Sequence, residues 1–214
     1  MSLAQLWRDF VMDATTFGRS VGRRNYLARY MRKSRRYSIA EFPDGKYGRV
    51  VGHAHARGEP LLAPISGLPC VFYIVRVVDP LTRDPKTGDP TVVARGVSPT
   101  AFFIEDRSGR ALIDPAGAMG FLGEPSASDT CHRAPSAIVW LVHEQKRTIQ
   151  SHFTYAEWLI SEGEPISVLG GGSREPDPDA PPAPEYRGEP AMRLRIAQTE
   201  PYALMISDSA ATMK

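Results

Sequence analysis

Cysteine is scarce in this chain: Cys70 and Cys131 are the only two among 214 residues. Two thiols cannot build a disulfide framework or a cysteine-rich zinc site. Long apolar runs are also missing. The longest, "CVFYIV" from Cys70 and "AIVWLV" from Ala137, fall far short of the ~20 residues that a membrane-spanning helix needs. No clean apolar segment opens the chain, because "MSLAQLWRDFVMDATTF" carries Asp9 and Asp13. No secretory leader is therefore expected, and the chain reads as cytoplasmic. Phosphate-loop, serine-hydrolase and kinase signatures are absent; "GVSPT" and "GGGS" lack the Lys-Ser/Thr and helix that phosphate binding needs. Nothing in the sequence calls for a cofactor or a small-molecule substrate.

What is present suits a folded domain. Hydrophobic residues make up 42% of the chain, enough for a real core, while 19 prolines and 18 glycines imply many turns. The net charge of +2 is unevenly spread. Residues 1–40 hold nine Lys/Arg against two acids, which leaves seventeen against twenty-two for the rest. The first forty residues thus form a basic arm on a mildly acidic body.

Within that arm the spacing predicts a helix over residues 3–33. Leu3, Trp7, Phe10, Ala14, Phe17 and Val21 recur at three- and four-residue steps and share one face. Arg19, Arg23, Arg24 and Arg32 stand on the other face, and Arg35 and Arg36 follow. Such a helix either packs on the main domain with its arginines in solvent or lies on an anionic membrane or a partner surface. Trp7, Phe10 and these arginines are its candidate contacts.

From residue 48 the signals turn to strand. "CVFYIVRVV" is apolar on both faces, which predicts burial on both sides. "PLTRDPKTGDP" reads as a polar loop returning to the strand "TVVARGV". "FFIEDRSGRALIDP" is a hairpin signal, with Asp106 to Gly109 as the turn. Residues 115–136 read as a long loop, and "AIVWLV" and "RTIQSHF" as strands. "TYAEWLISEG" reads as a short helix, with Thr154 as cap, Glu157 three residues later and Gly163 at the end. "EPISVLGGG" reads as a strand closed by its glycines, and "AMRLRIAQ" and "YALMIS" as final strands. Residues 173–190, rich in Pro and Asp, form an extended exposed loop. The predicted fold is mainly β with flanking helices: a small OB-like barrel preceded by a basic amphipathic helix.

Few residues invite chemistry. His53 and His55 would share one face of a strand and could reach one metal, but no third ligand is evident, so they are weak candidates. Cys70 opens an apolar strand without a nucleophile signature, which favours packing over catalysis. Asp106 and Asp114 occupy places where Asp habitually bonds nearby backbone amides. Nucleic acid is disfavoured, because the barrel part is net acidic and its aromatics sit in core-like runs.

One stretch is more specific. "PLLAPISGLPCVFYIVRV" resembles the "PL-x-SP-x-SG-x-PC-x-x-Y" pattern of GIDE-type, or beside-a-membrane, domains through Pro60, Leu61, Pro64, Ser66, Gly67, Pro69, Cys70 and Tyr73. Ala63 replaces the usual first serine. "FFIEDRSGRALIDPAGA" resembles a second motif of that family through Phe102, Asp106, Gly109, Asp114 and Pro115. "EWLISEGEPISVLGG" resembles a third, in which a helix end with Gly163 leads into a strand with Gly170. The three follow in the family's order across residues 48–207. The resemblance implies an OB-like barrel that binds a substrate or protein partner. In the mitochondrial and chloroplast outer-membrane ubiquitin ligases of this family, a RING finger supplies the ligase activity. Two cysteines cannot build its two zinc sites, so the resemblance does not carry ligase activity here. The expectation is a non-catalytic, partner-binding module, cytoplasmic or peripheral to a membrane. The alternatives are a ligase-like factor that takes its RING from another chain and a single-stranded nucleic-acid binder.

Overall fold

The computed structural model describes residues 28–83, 85, 90–131, 136–145, 153–180 and 191–214. Five strands close a barrel. They are β1 (Tyr47–His55), β6 (Phe102–Asp106), β7 (Gly109–Ile113), β11 (Pro165–Pro176) and β12 (Met192–Ala197), joined in the cyclic order β1-β6-β7-β12-β11-β1. Every pair is antiparallel except β7–β12. Alternation explains the interior: Val50, Ala54, Phe102, Ile104, Ile113, Ile166, Val168, Leu194 and Ile196 face inward and are fully buried or nearly so. Two short strands, β13 (Met205–Ser207) and β8 (Met119–Phe121), extend the sheet beyond β11. A small, mainly β barrel is what the succession of short strand signals predicts.

Two long insertions build a second layer. Between β1 and β6 lie the two-residue strands β2 (Leu61–Leu62) and β3 (Pro69–Cys70), then β4 (Phe72–Arg83) and β5 (Pro90–Val97). Between β7 and β11 lie β8, β9 (Ala127–Cys131), helix α1 (Ser136–Glu144) and β10 (Phe153–Ile160). Strands from both insertions meet in a four-stranded sheet, β5-β4-β10-β9. Its two covers account for the doubly apolar β4: Phe72 and Ile74 join the barrel core, while Val75 and Val77 join Ile138 and Val142 of α1. Phe72 and Phe102 meet at the junction, with ring centroids 5.8 Å apart.

Several local expectations are corrected. "AIVWLV" is helical: Ile138 and Val142, one turn apart, are buried, whereas Val139 and Trp140 are exposed. A single stripe docks, so helical packing overrides the β-branched composition. "TYAEWLISEG" is not a helix but most of β10, paired with β4 over seven residues and with β9 over five. The Thr154–Glu157 spacing is a local signal, and sheet pairing on both edges outweighs it. The glycines at 170–172 do not end their strand, which continues to Pro176. Pro80–Arg83 prolong β4 instead of forming a loop, and residues 115–136 contain β8, β9 and the start of α1. Ser173–Pro176 belong to β11, so the loop expected from residue 173 begins only after Pro176.

Of the basic arm, residues 28–33 are helical. Met31 is fully buried among Met119, Leu169, Ala203 and Met205, so this turn packs on the barrel. Trp7, Phe10, Arg19, Arg23 and Arg24, like most of "RTIQSHF", lie outside the described residues.

Candidate functional site

The segment from Leu61 to Cys70 forms a small closed loop. Leu61 and Leu62 pair with Cys70 and Pro69, the Ala63 amide donates to the Leu68 carbonyl (2.9 Å), and the Gly67 amide donates to the Ala63 carbonyl (2.9 Å). Gly67 turns the chain at φ +69°, a conformation that glycine adopts without strain. Pro64, Gly67 and Pro69 are exposed, Ser66 is half-buried, and only Ala63 and Cys70 are buried.

A carboxylate from elsewhere holds the tip. Glu157 of β10 is fully buried; its Oε1 accepts the Ile65 amide at 2.8 Å and its Oε2 accepts the Ser66 amide at 2.9 Å. The Val71 amide donates to the Ile160 carbonyl three residues along β10 (2.8 Å), and the Ser126 amide to the Glu157 carbonyl (2.8 Å). A buried carboxylate that accepts two backbone amides is compensated for its lost hydration, and both partners become rigid. Glu157 thereby joins the first and third motifs, which lie about ninety residues apart in the sequence. The sequence places it in a helix, which hides this role. A lone acid among Ala, Trp and Leu on a central strand is the signal that could have revealed it.

Cys70 is 1% exposed, and burial, reinforced by the Glu157 charge, pushes its thiol up to about 11. A nucleophile needs the opposite shift. The half-buried Tyr73 hydroxyl is raised too, by burial and then by Cys70 and Glu157. Two apolar side chains of this loop have no cover: Leu62 is 69% exposed and Leu68 49%. Ile65 of the loop packs in the same cluster as Ile138 and Val142, so loop and helix flank one buried patch.

The remaining predicted residues are spread over the barrel. Asp106 closes the β6–β7 turn, where its carboxylate accepts the Ser108 hydroxyl and the Ile39, Ser108 and Gly109 amides. Burial pushes the Asp106 carboxyl up, but these hydrogen bonds win and hold it below its ordinary value. Asp114, with Pro115 behind it, accepts the Ala116 amide (3.1 Å) and pairs with Arg195. Gly163 sits in the β10–β11 turn at φ +73°, and Gly170 lies under Ile196 and Leu204.

His53 and His55 alternate onto one face of β1. His55 Nδ1 meets Glu162 Oε1 at 2.7 Å, and Glu162 also accepts the Ala56 amide, while His53 is exposed opposite Glu105. Among the described residues, no three His, Cys, Asp or Glu side chains converge as a metal site would require.

Three of the candidate arm arginines can be placed. Arg32 is exposed, Arg35 stacks over the Tyr37 ring at 5.0 Å, and Arg36 donates to the Met213 carbonyl (3.1 Å). Beside it, the buried Arg49 donates to the carbonyls of Thr212 and Lys214, around the C-terminal end of helix α2 (Ala210–Met213), where cations are favoured. Arg49 also escaped the sequence reading. Among the described residues, no helix is long and apolar enough to cross a membrane. No protein-family model, no curated protein and no solved structure matches this chain.

Proposed function

We propose that the protein is a non-catalytic partner-binding module of the GIDE type. The observation that carries this reading is a rigid loop edged by uncovered apolar side chains. Glu157 fixes the Leu61–Cys70 loop, and its Leu62 and Leu68 stand exposed. Large apolar side chains clustered beside a rigid element mark an interaction surface more often than scattered ones do. The burial of Cys70 and the engagement of Asp106 and Asp114 with backbone amides support a scaffolding role for the family-like motifs. The partner is a protein, and the basic arm would bring the module to an anionic membrane surface.

Site-specific photo-crosslinking tests this. A photoreactive residue at Leu62 or Leu68 of the full chain should give one discrete protein adduct in cells, and the same residue at the exposed Lys46 should not. Equal, diffuse labelling from all three positions would sink the reading.

A further inference from the structure

We propose that the outer edge of β5 takes up an extended strand of a partner protein, one that carries an acid opposite Arg95 and apolar side chains on its other face. This rests on the partner-binding reading above, adds a second contact to it and names the chemistry of what docks there.

β5 is an outer strand of the second sheet, and among the described residues no strand pairs with its far side. Such an edge presents amides and carbonyls to which another strand can be added. At one point the edge is already engaged. Gln145, just past α1, accepts the Arg95 amide on Oε1 at 3.3 Å, and its Nε2 donates to the Arg95 carbonyl at 2.6 Å. A carboxamide that pairs both ways with one residue does what a peptide group of a neighbouring antiparallel strand would do. Arg95 therefore turns both backbone groups away from β4, and Val97, two residues on, turns its own the same way. The ladder shifts register between Val92 and Ala94, so the regular edge runs from Ala94 to Val97. Gln145 is exposed and engages a single residue of it, which marks the site without filling it.

Arg95 also lacks a counter-charge. It is half-buried, and its Nη2 donates to the Ala118 carbonyl at 2.8 Å. Among the described residues no carboxylate forms an ion pair with it. Directly opposite, across β4–β5, stands a second cation, Arg76. Burial and then the Arg95 charge push the Arg76 guanidinium down to about 10, and burial pushes Arg95 down as well. Like charges facing each other across a ladder oppose the pairing, and an acid on the next strand offsets them. The residue of an added strand that faces Arg95 has its Cα about 5.5 Å away, within reach of a Glu side chain. The other face of that strand meets α1. Leu141 lies over Gly96, where a Cβ would come within 3.2 Å of its Cδ1, so Val or Ile at alternate positions fits there. A second copy fits poorly, because two β5 edges paired about Arg95 would set arginine against arginine.

The test uses the full chain and a fluorescein-labelled peptide, KTVTVEVTVTK, read by fluorescence anisotropy. Gln145→Ala should bind it about tenfold tighter than wild type, because the two hydrogen bonds that compete with the peptide are gone. Replacing the central Glu of the peptide by Lys should weaken binding about fivefold or more, and N-methylation of that Glu should remove it. Hydrogen exchange at the Arg95 and Val97 amides should slow when the unmodified peptide is added. Equal affinity of wild type and Gln145→Ala, or of the plain and N-methylated peptides, overturns the proposal. So does a Gln145→Ala chain that dimerises by light scattering and ignores the peptide, which would assign the edge to a second copy. A Leu68 crosslink that persists after such a failure would show that the partner-binding reading stands without this edge.

Discussion

The Glu157 carboxylate accepts the Ser66 amide at 2.9 Å and the Ile65 amide at 2.8 Å, so one buried side chain ties the second sheet to the Pro64–Cys70 loop. Glu157→Gln keeps the shape but leaves one amide facing an NH₂ group. Losing one charge-assisted hydrogen bond and stranding a donor should cost about 1–3 kcal/mol. Urea unfolding would measure the loss. Hydrogen exchange should quicken first at Ile65 and Ser66, whereas a uniform rise across the barrel would contradict a local clamp.

Cys70 should behave as packing. With its thiol raised to about 11 and its side chain 1% exposed, it should resist a disulfide reagent in the native protein at pH 8 and react once unfolded in guanidinium. Comparing wild type with Cys70→Ala isolates its signal. The variant should lose about 1 kcal/mol from the small void and keep any crosslink made from Leu68. Fast native labelling of Cys70 would restore the nucleophile reading.

A succession of short strand signals made the barrel legible, and the β6–β7 turn carries its own Asp-Ser-Gly chemistry. The second layer was harder. The sequence reads "AIVWLV" as strand and "TYAEWLISEG" as helix, the reverse of what forms, since β-branched residues on a docked helix and a capping pattern on a strand are local signals that tertiary partners override. Glu157 shows the same limit. Its spacing from Thr154 suggested a cap, and only the sheet brings it to amides ninety residues earlier. Ionic contacts such as Arg193 with Asp179, or Arg49 with the last carbonyls, depend wholly on the closed fold.

Asp106 should give the stability curve an acid limb. Its folded pKa lies below the ordinary aspartate value, so the unfolded chain takes up the proton first as pH falls. The stabilisation is present above about pH 4, the unfolded range, and is lost as pH drops through the lower folded value. Asp106→Asn should therefore be less stable than wild type at pH 7, and the gap in urea midpoint should narrow as pH falls below the ordinary aspartate range and through the lower folded value. A gap independent of pH would mean that the side chain's shape matters and its charge does not.

Gly170 is required by crowding. A Cβ built there would lie 2.7 Å from Ile196 Cγ2, 2.8 Å from Leu204 Cδ1 and 3.0 Å from the Ala197 carbonyl oxygen. Ile196 and Leu204 are fully buried, and the carbonyl belongs to β12, so little can give way. Gly170→Ala should destabilise by about 1–3 kcal/mol through overpacking. Gly58→Ala tests a different cause, since Gly58 has open space around it but a φ of +91°. Its penalty should be backbone strain alone, of order 1 kcal/mol. Shortening Leu204 to Ala should recover part of the loss in the Gly170 variant and none in the Gly58 variant. A double-mutant cycle in urea measures that difference, and additivity at both positions would refute the crowding account.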